Sequence, residues 1–288
     1  MVQTLHESSR FACRLKKLFL GLLCIHIYGT FFARLEGRPC PRKKDACRTM
    51  VLHKAGYFCG ELVMDVLRIH RYLFTVTSAQ IMTGFTPVYI AARAIDEDVQ
   101  SRFYDPVNHK NVNQFSHTVH QIARFGVGIP MAALASLMFF APSIEMRTTA
   151  RVFAIGWPFV HFTKDLIKKI DTKACLRPWH ELYSCKNRNT GGFPSGHMAN
   201  ITYTASLWWL RYGPKWGAPL ACGAGFVFAN FVNCNRHYMS QLIAGAGLGL
   251  IYAFSANAVI EQKLSERFSC SLHSDENGRT VMSVGYQF

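Results

Sequence analysis

The chain has 288 residues, half of them hydrophobic, and its 32 Lys and Arg outweigh 17 Asp and Glu. The length would suit one or two soluble domains, but the apolar residues gather into long runs without the polar stripe that a soluble helix keeps. The positive balance does not indicate nucleic acid, because no basic patch is interleaved with aromatic or groove-reading elements; it suits loops lying against anionic lipid head groups.

In chain order, Leu18–Ala33 comes first, an apolar stretch of 16 residues behind Arg14, Lys16 and Lys17. It is short for a span and no small-residue cleavage site follows it, so a signal anchor, an extra span and an interfacial helix all stay open. Arg34–Arg71 is mostly basic loop, with a mixed helical stretch near Gly56–Leu67. Four later runs, Tyr72–Ala92, Phe125–Ala141, Trp216–Asn235 and Tyr238–Ile260, contain no Asp, Glu, Lys or Arg. Crossing the hydrocarbon layer takes roughly 20 apolar residues, and inside lipid such a run must be helical to satisfy its own backbone.

Between these runs, Arg93–Gln121 is rich in Asp, Asn and His and reads as extramembrane. Thr149–Lys169 predicts a helix with a basic carboxyl end, and Asp171–Phe193 a polar loop broken at Gly191-Gly192. Ser195–Arg211 predicts a short helix stopped by the turn signal Gly213-Pro214. The last two spans meet at Cys234-Asn235-Arg236, and Glu261–Phe288 is a polar tail. The expected fold is an all-α integral membrane bundle of about six core transmembrane helices plus the N-terminal apolar segment. Its expected parts are an N-terminal region 1–71, a bundle 72–260 and a C-terminal tail 261–288.

Gly245, Gly247 and Gly249 suggest a nucleotide loop, but they lie inside an apolar run and not between a strand and a helix, so they predict close helix packing. The ten cysteines contain no paired CxxC motifs for zinc. Cys40 with Cys47, and Cys175 with Cys185, are either disulfides or free thiols.

Three clusters carry chemistry. Lys164, Lys168, Lys169, Lys173 and Arg177-Pro178 form a basic stretch opposed only by Asp165 and Asp171. Phe193-Pro194-Ser195-Gly196-His197 puts a proline-ended loop at the start of a helix, whose free N–H groups and positive dipole end suit a phosphate. Gly196 permits close backbone approach, and Ser195 is either a hydroxyl donor or the helix cap. In Arg236-His237-Tyr238-Met239-Ser240-Gln241, His237 and Gln241 are four apart and share a helical face. Ionisable groups at a membrane edge are costly and usually functional. Two histidines with Lys and Arg supply a nucleophile, a general acid and phosphate clamps.

With these residues the chain resembles the type 2 phosphatidic acid phosphatase superfamily, which includes membrane lipid phosphatases, soluble acid phosphatases and vanadium-dependent haloperoxidases. The family pattern is Lys, six residues, Arg-Pro; then Pro-Ser-Gly-His; then Ser-Arg, five residues, His, three residues, Asp. The likeness covers Lys164 to Ile251, and Pro194-Ser195-Gly196-His197 matches in full. It implies that His237 attacks phosphorus to form a phosphohistidine and that His197 protonates the leaving alcohol. Arg177, Ser195 and the Gly196 N–H would hold phosphate oxygens, with cationic side chains and no metal or cofactor meeting the transition-state charge.

The chain departs from the pattern at three places. Ile170 stands seven before Arg177, so Lys168 or Lys169 must serve as the motif lysine. Asn230-Phe231 occupies the Ser-Arg position, leaving Arg236 as the nearby arginine, and Gln241 replaces the Asp. A Gln carbonyl can still accept from the imidazole N–H, though without charge. The expected partners are a lipid phosphate substrate and the membrane, and the expected reaction is phosphate monoester hydrolysis. A lipid phosphotransferase and a non-catalytic lipid- or phosphate-binding relative are the alternatives. The basic loop Arg34–Arg71 favours the cytoplasm, and three spans later the site would face the opposite side.

Overall fold

The computed structural model describes residues 60–126, 133, 137–170, 176–180, 191–266, 268–274 and 280–286. The chain divides into two compact units, Met1–Glu61 and Leu62–Phe288, and every element below belongs to the second. The apolar segment Leu18–Ala33, most of the basic loop, most of Phe125–Ala141, most of Asp171–Phe193 and both cysteine pairs lie outside the described residues.

Helix α1 covers 62–72. After a turn, α2 runs Val76–Ser101, capped by Thr75, whose side chain accepts from the Ser78 N–H. A two-residue hairpin follows, β1 Tyr104–Asp105 against β2 Lys110–Asn111. Then come the short α3, His117–Gln121, a π-turn at Ile122–Gly126, and α4, Ile144–Ile167, capped by Ser143. Helix α5 is Gly196–Tyr212 with Ser195 as its cap. It ends at Gly213, whose φ of +75° only glycine adopts without strain. The same residue starts α6, Pro214–Asn233, with Pro214 in the first turn, where a missing N–H costs nothing. Helix α7, Met239–Ser265, is followed by an antiparallel hairpin, β3 Phe268–Ser274 and β4 Thr280–Tyr286.

The sequence reading needs three corrections here. Tyr72–Ala92 is not one helix, because Thr75 caps a new one and the chain turns at 73–75. Helix α2 also continues through the polar Arg93–Ser101 stretch, since Asp96 and Gln100 are buried against neighbouring segments and carry the helix on. The polar tail is helix and hairpin: Phe268, Cys270 and Leu272 alternate with Ser269, Ser271 and His273, a period of two that fits a strand.

Helix α7 is the axis of an all-α bundle, with α2, α4 and α5 packed around it. Among the described residues it is the one helix long and apolar enough to cross a membrane by length and composition. Its glycines perform the packing role expected of them. A Cβ on Gly245 would strike the Ser195 carbonyl, one on Gly249 the Ala199 carbonyl, and one on Gly247 would come to 3.2 Å from the Phe85 ring. Towards the other end of α7, Tyr252, Ala256, Val259 and Ile260 join Val152, Val160, Tyr203 and Leu207 in the core. There the fully buried Asp65 gathers Lys263 at 2.7 Å, Arg151 at 3.0 Å and Arg68 at 3.8 Å. Outward, Leu67, Phe74, Val76, Val88 and Ile90 are each more than half exposed, the surface of a bundle suited to lipid.

Because the α5–α7 contact is backbone on backbone, Gly245→Ala is expected to lower stability by about 1–3 kcal/mol. Gly225→Ala on α6, where nothing lies within 4 Å, is expected to be neutral or stabilising by up to about 1 kcal/mol. Thermal unfolding of the purified proteins in detergent checks both, and equal Tm values for the two variants would contradict the packing.

Candidate active site

The amino ends of α5 and α7 lie side by side. The Ser195 N–H donates to the Gln241 carbonyl at 3.0 Å, and the Ser195 Oγ accepts from the Met198 N–H at 3.4 Å. Ser195 is fully buried, so of its two expected roles the structure displays the cap. His197, two residues on, is exposed.

His237 stands in the connection between α6 and α7, before the first helical residue, and is 7% exposed. Its Nδ1 lies 2.9 Å from the Gly192 carbonyl and 3.3 Å from the Gln241 Oε1. A backbone carbonyl only accepts, so Nδ1 carries the hydrogen and Nε2 keeps its lone pair. The orienting acceptor closest to the ring is therefore a main-chain oxygen. Gln241, fully buried, is shared: its Oε1 also accepts from the Tyr238 N–H at 3.2 Å, and its Nε2 donates to the Leu176 carbonyl at 2.6 Å. Burial holds the His237 imidazole well below its ordinary pKa, helped by the charges of Arg177, Lys168 and His197 and opposed by the Gln241 hydrogen bond.

The cations sort themselves by geometry. An Arg177 guanidinium nitrogen donates to the Gly191 carbonyl at 3.2 Å and the other to the Arg236 carbonyl at 3.5 Å, tying the loop before α5 to the loop before α7. Lys168 Nζ comes within 4.0 Å of the Cβ position of Gly191, whereas Lys169 is exposed. Lys168 is thus the lysine of the pair that stands at the site. Arg236 meets the site through its main chain, its carbonyl being the acceptor for Arg177.

The structure brings two further residues to the site, Lys164 from the basic cluster and Phe231. Lys164 is half-buried, pairs with Asp165 at 2.7 Å, and lies so close over Gly196 that a Cβ there would come to 2.5 Å from its Cδ. The signal was its spacing of four from Lys168, which puts both on one face of α4. Phe231, at the position where the family has arginine, is buried between the histidines, its ring 5.1 Å edge-on from His197 and 6.1 Å from His237. Among the described residues no three His, Cys, Asp or Glu side chains group as metal ligands.

Set against known proteins, no curated relative matches the chain. A solved structure, the transmembrane PAP2-type phosphatidylglycerolphosphate phosphatase from Bacillus subtilis, matches at 16% identity with a TM-score of 0.44, over 65% of this chain and 98% of that one. The model of the PAP2 superfamily matches residues 15–264. With that match running through Lys168, Arg177, His197 and His237, the chain belongs to the PAP2 superfamily.

Proposed function

We propose that the protein is a membrane-embedded phosphatase that hydrolyses a lipid phosphate monoester through a phosphohistidine on His237. Membership of the superfamily supports a phosphoric monoester hydrolase in general. The observation that carries the finer reading is the His237 ring, its Nδ1–H held by two oxygens and its proton affinity depressed, which leaves Nε2 as a neutral nucleophile.

In the reaction, Nε2 attacks phosphorus as the bond to the lipid alkoxide breaks. His197 gives that oxygen its proton. Water then attacks the phosphohistidine, His197 takes a proton from it, and inorganic phosphate leaves with His237 neutral again. Arg177, Lys168 and Lys164, grouped around Gly191 and Gly196, meet the equatorial oxygens as charge develops. The exposure of His197 suits a group that must reach both a leaving alcohol and water. The positive loop Arg34–Arg71 supports a site opening away from the cytoplasm. A second reading, a relative that binds lipid phosphate without turning it over, is favoured by Phe231, which fills the space between the histidines where the family has a charge.

Replacing His237 by Ala is expected to abolish both turnover and any trapped phosphoenzyme. Replacing His197 by Ala should preserve phosphoenzyme formation only with a substrate such as p-nitrophenyl phosphate, whose leaving group needs no proton. Normal turnover by His237→Ala would contradict the assignment. The pH profile is a separate check. A depressed His237 stays unprotonated at and below its ordinary pKa of about 6.5, so the acid limb of kcat/KM should lie below that value. Arg177→Met removes one cause of the depression, and the limb of its residual activity should move upward. An unmoved limb would show that Arg177 does not act on the imidazole.

A further inference from the structure

The β1–β2 hairpin lies over two loops of the site and touches both through one side chain. Asn111, on β2, faces His180 Nε2 with its amide nitrogen at 3.1 Å and accepts from Asn235 Nδ2 at 3.3 Å. His180 is three residues past Arg177, and Asn235 two residues before His237. The bonds have a fixed sense. Asn235 Nδ2 also donates to the Phe103 carbonyl at 2.7 Å, and a carbonyl only accepts, so the Asn235 atom facing Asn111 is a donor. Asn111 therefore presents its oxygen to Asn235 and its NH2 to His180, whose Nε2 must be the acceptor.

The surroundings are built to keep this arrangement. His180 is 8% exposed and Asn235 is 1% exposed. Asn235 has a φ of +50°, which among residues with a side chain suits Asn best. Neighbouring bonds run in parallel: Gln100 Nε2 donates to the Trp179 carbonyl at 3.1 Å, the Phe115 N–H to Asn233 Oδ1 at 2.7 Å, and Asn233 Nδ2 to the Asn113 carbonyl at 2.9 Å. Three segments far apart in sequence thus meet at one amide.

We propose that Asn111 is a positioning residue that sets the separation of Arg177 and His237, so that it governs phosphoryl transfer and not lipid capture. This rests on the phosphatase reading above. A displacement of about 1 Å between reacting groups costs on the order of 10²-fold in rate, so Asn111→Ala should lower kcat by about that factor with KM little changed. Two more variants separate hydrogen bonding from space filling. Asn111→Leu has the same shape and neither bond. Asn111→Asp keeps the acceptor for Asn235, and neutral His180 can donate to it from its other tautomer.

The experiment uses the full chain in detergent micelles with short-chain phosphatidic acid, together with hydrogen exchange of the wild type and of Asn111→Ala. The expected result is that Leu behaves like Ala, Asp recovers most of kcat, and exchange rises in both 176–180 and 233–237. Leu performing as well as Asp, a change confined to KM, or exchange unaltered in either segment would overturn the proposal. If the wild type hydrolyses no lipid phosphate, the phosphatase reading fails, and the exchange result alone then decides whether Asn111 holds the two segments.

Discussion

The site depends on one contact, the backbone-to-backbone packing of α5 on α7. Where Gly245 and Gly249 lack side chains, the carbonyls of Ser195 and Ala199 lie directly on α7, and the Ser195 N–H closes onto the Gln241 carbonyl at 3.0 Å. His197 follows Ser195 by two residues and His237 precedes Gln241 by four. The separation of His197 and His237 is therefore set by the close approach of two helix backbones that small residues permit. A side chain at either glycine would push the two helix starts apart.

That contact buries the start of α7, whose first N–H groups need partners. They come from α2. Asp96, 2% exposed, accepts from the Ser240 N–H at 3.0 Å and from its hydroxyl at 2.5 Å, while Glu97 accepts from the Tyr238 hydroxyl at 2.9 Å. Carboxylates at a helix amino end are also favoured by the dipole, and Arg93 at 3.2 Å balances Asp96. His237 thus stands before a helix start braced from two sides, whereas His197 is exposed.

Much of this was legible because it is local. Pro194-Ser195-Gly196-His197 carries its own cap and its own helix start, and the structure places both there. Gly213-Pro214 marked a helix junction to the residue. What was illegible is what depends on direction or on the main chain. Arg236 is adjacent to His237, and what it gives the site is its main-chain carbonyl, the acceptor for Arg177. Lys168 and Lys169 are equivalent as letters, and the turn of α4 alone separates them. The Gly192 carbonyl that holds the His237 ring has no side chain to announce it. The length of α2 was misread for a similar reason: Asp96 and Glu97 look like loop until their partners on a helix far along the chain are known.

The central claim is that main-chain and Gln241 oxygens tie Nδ1 of His237 and so leave Nε2 to attack phosphorus. The most direct test is to quench the full-length enzyme during turnover under alkaline conditions, where phosphohistidine survives, and to locate the phosphoryl group on the ring by phosphorus–nitrogen NMR. The account predicts phosphorylation at Nε2 of His237. A phosphoryl group on Nδ1, or on His197, would contradict it.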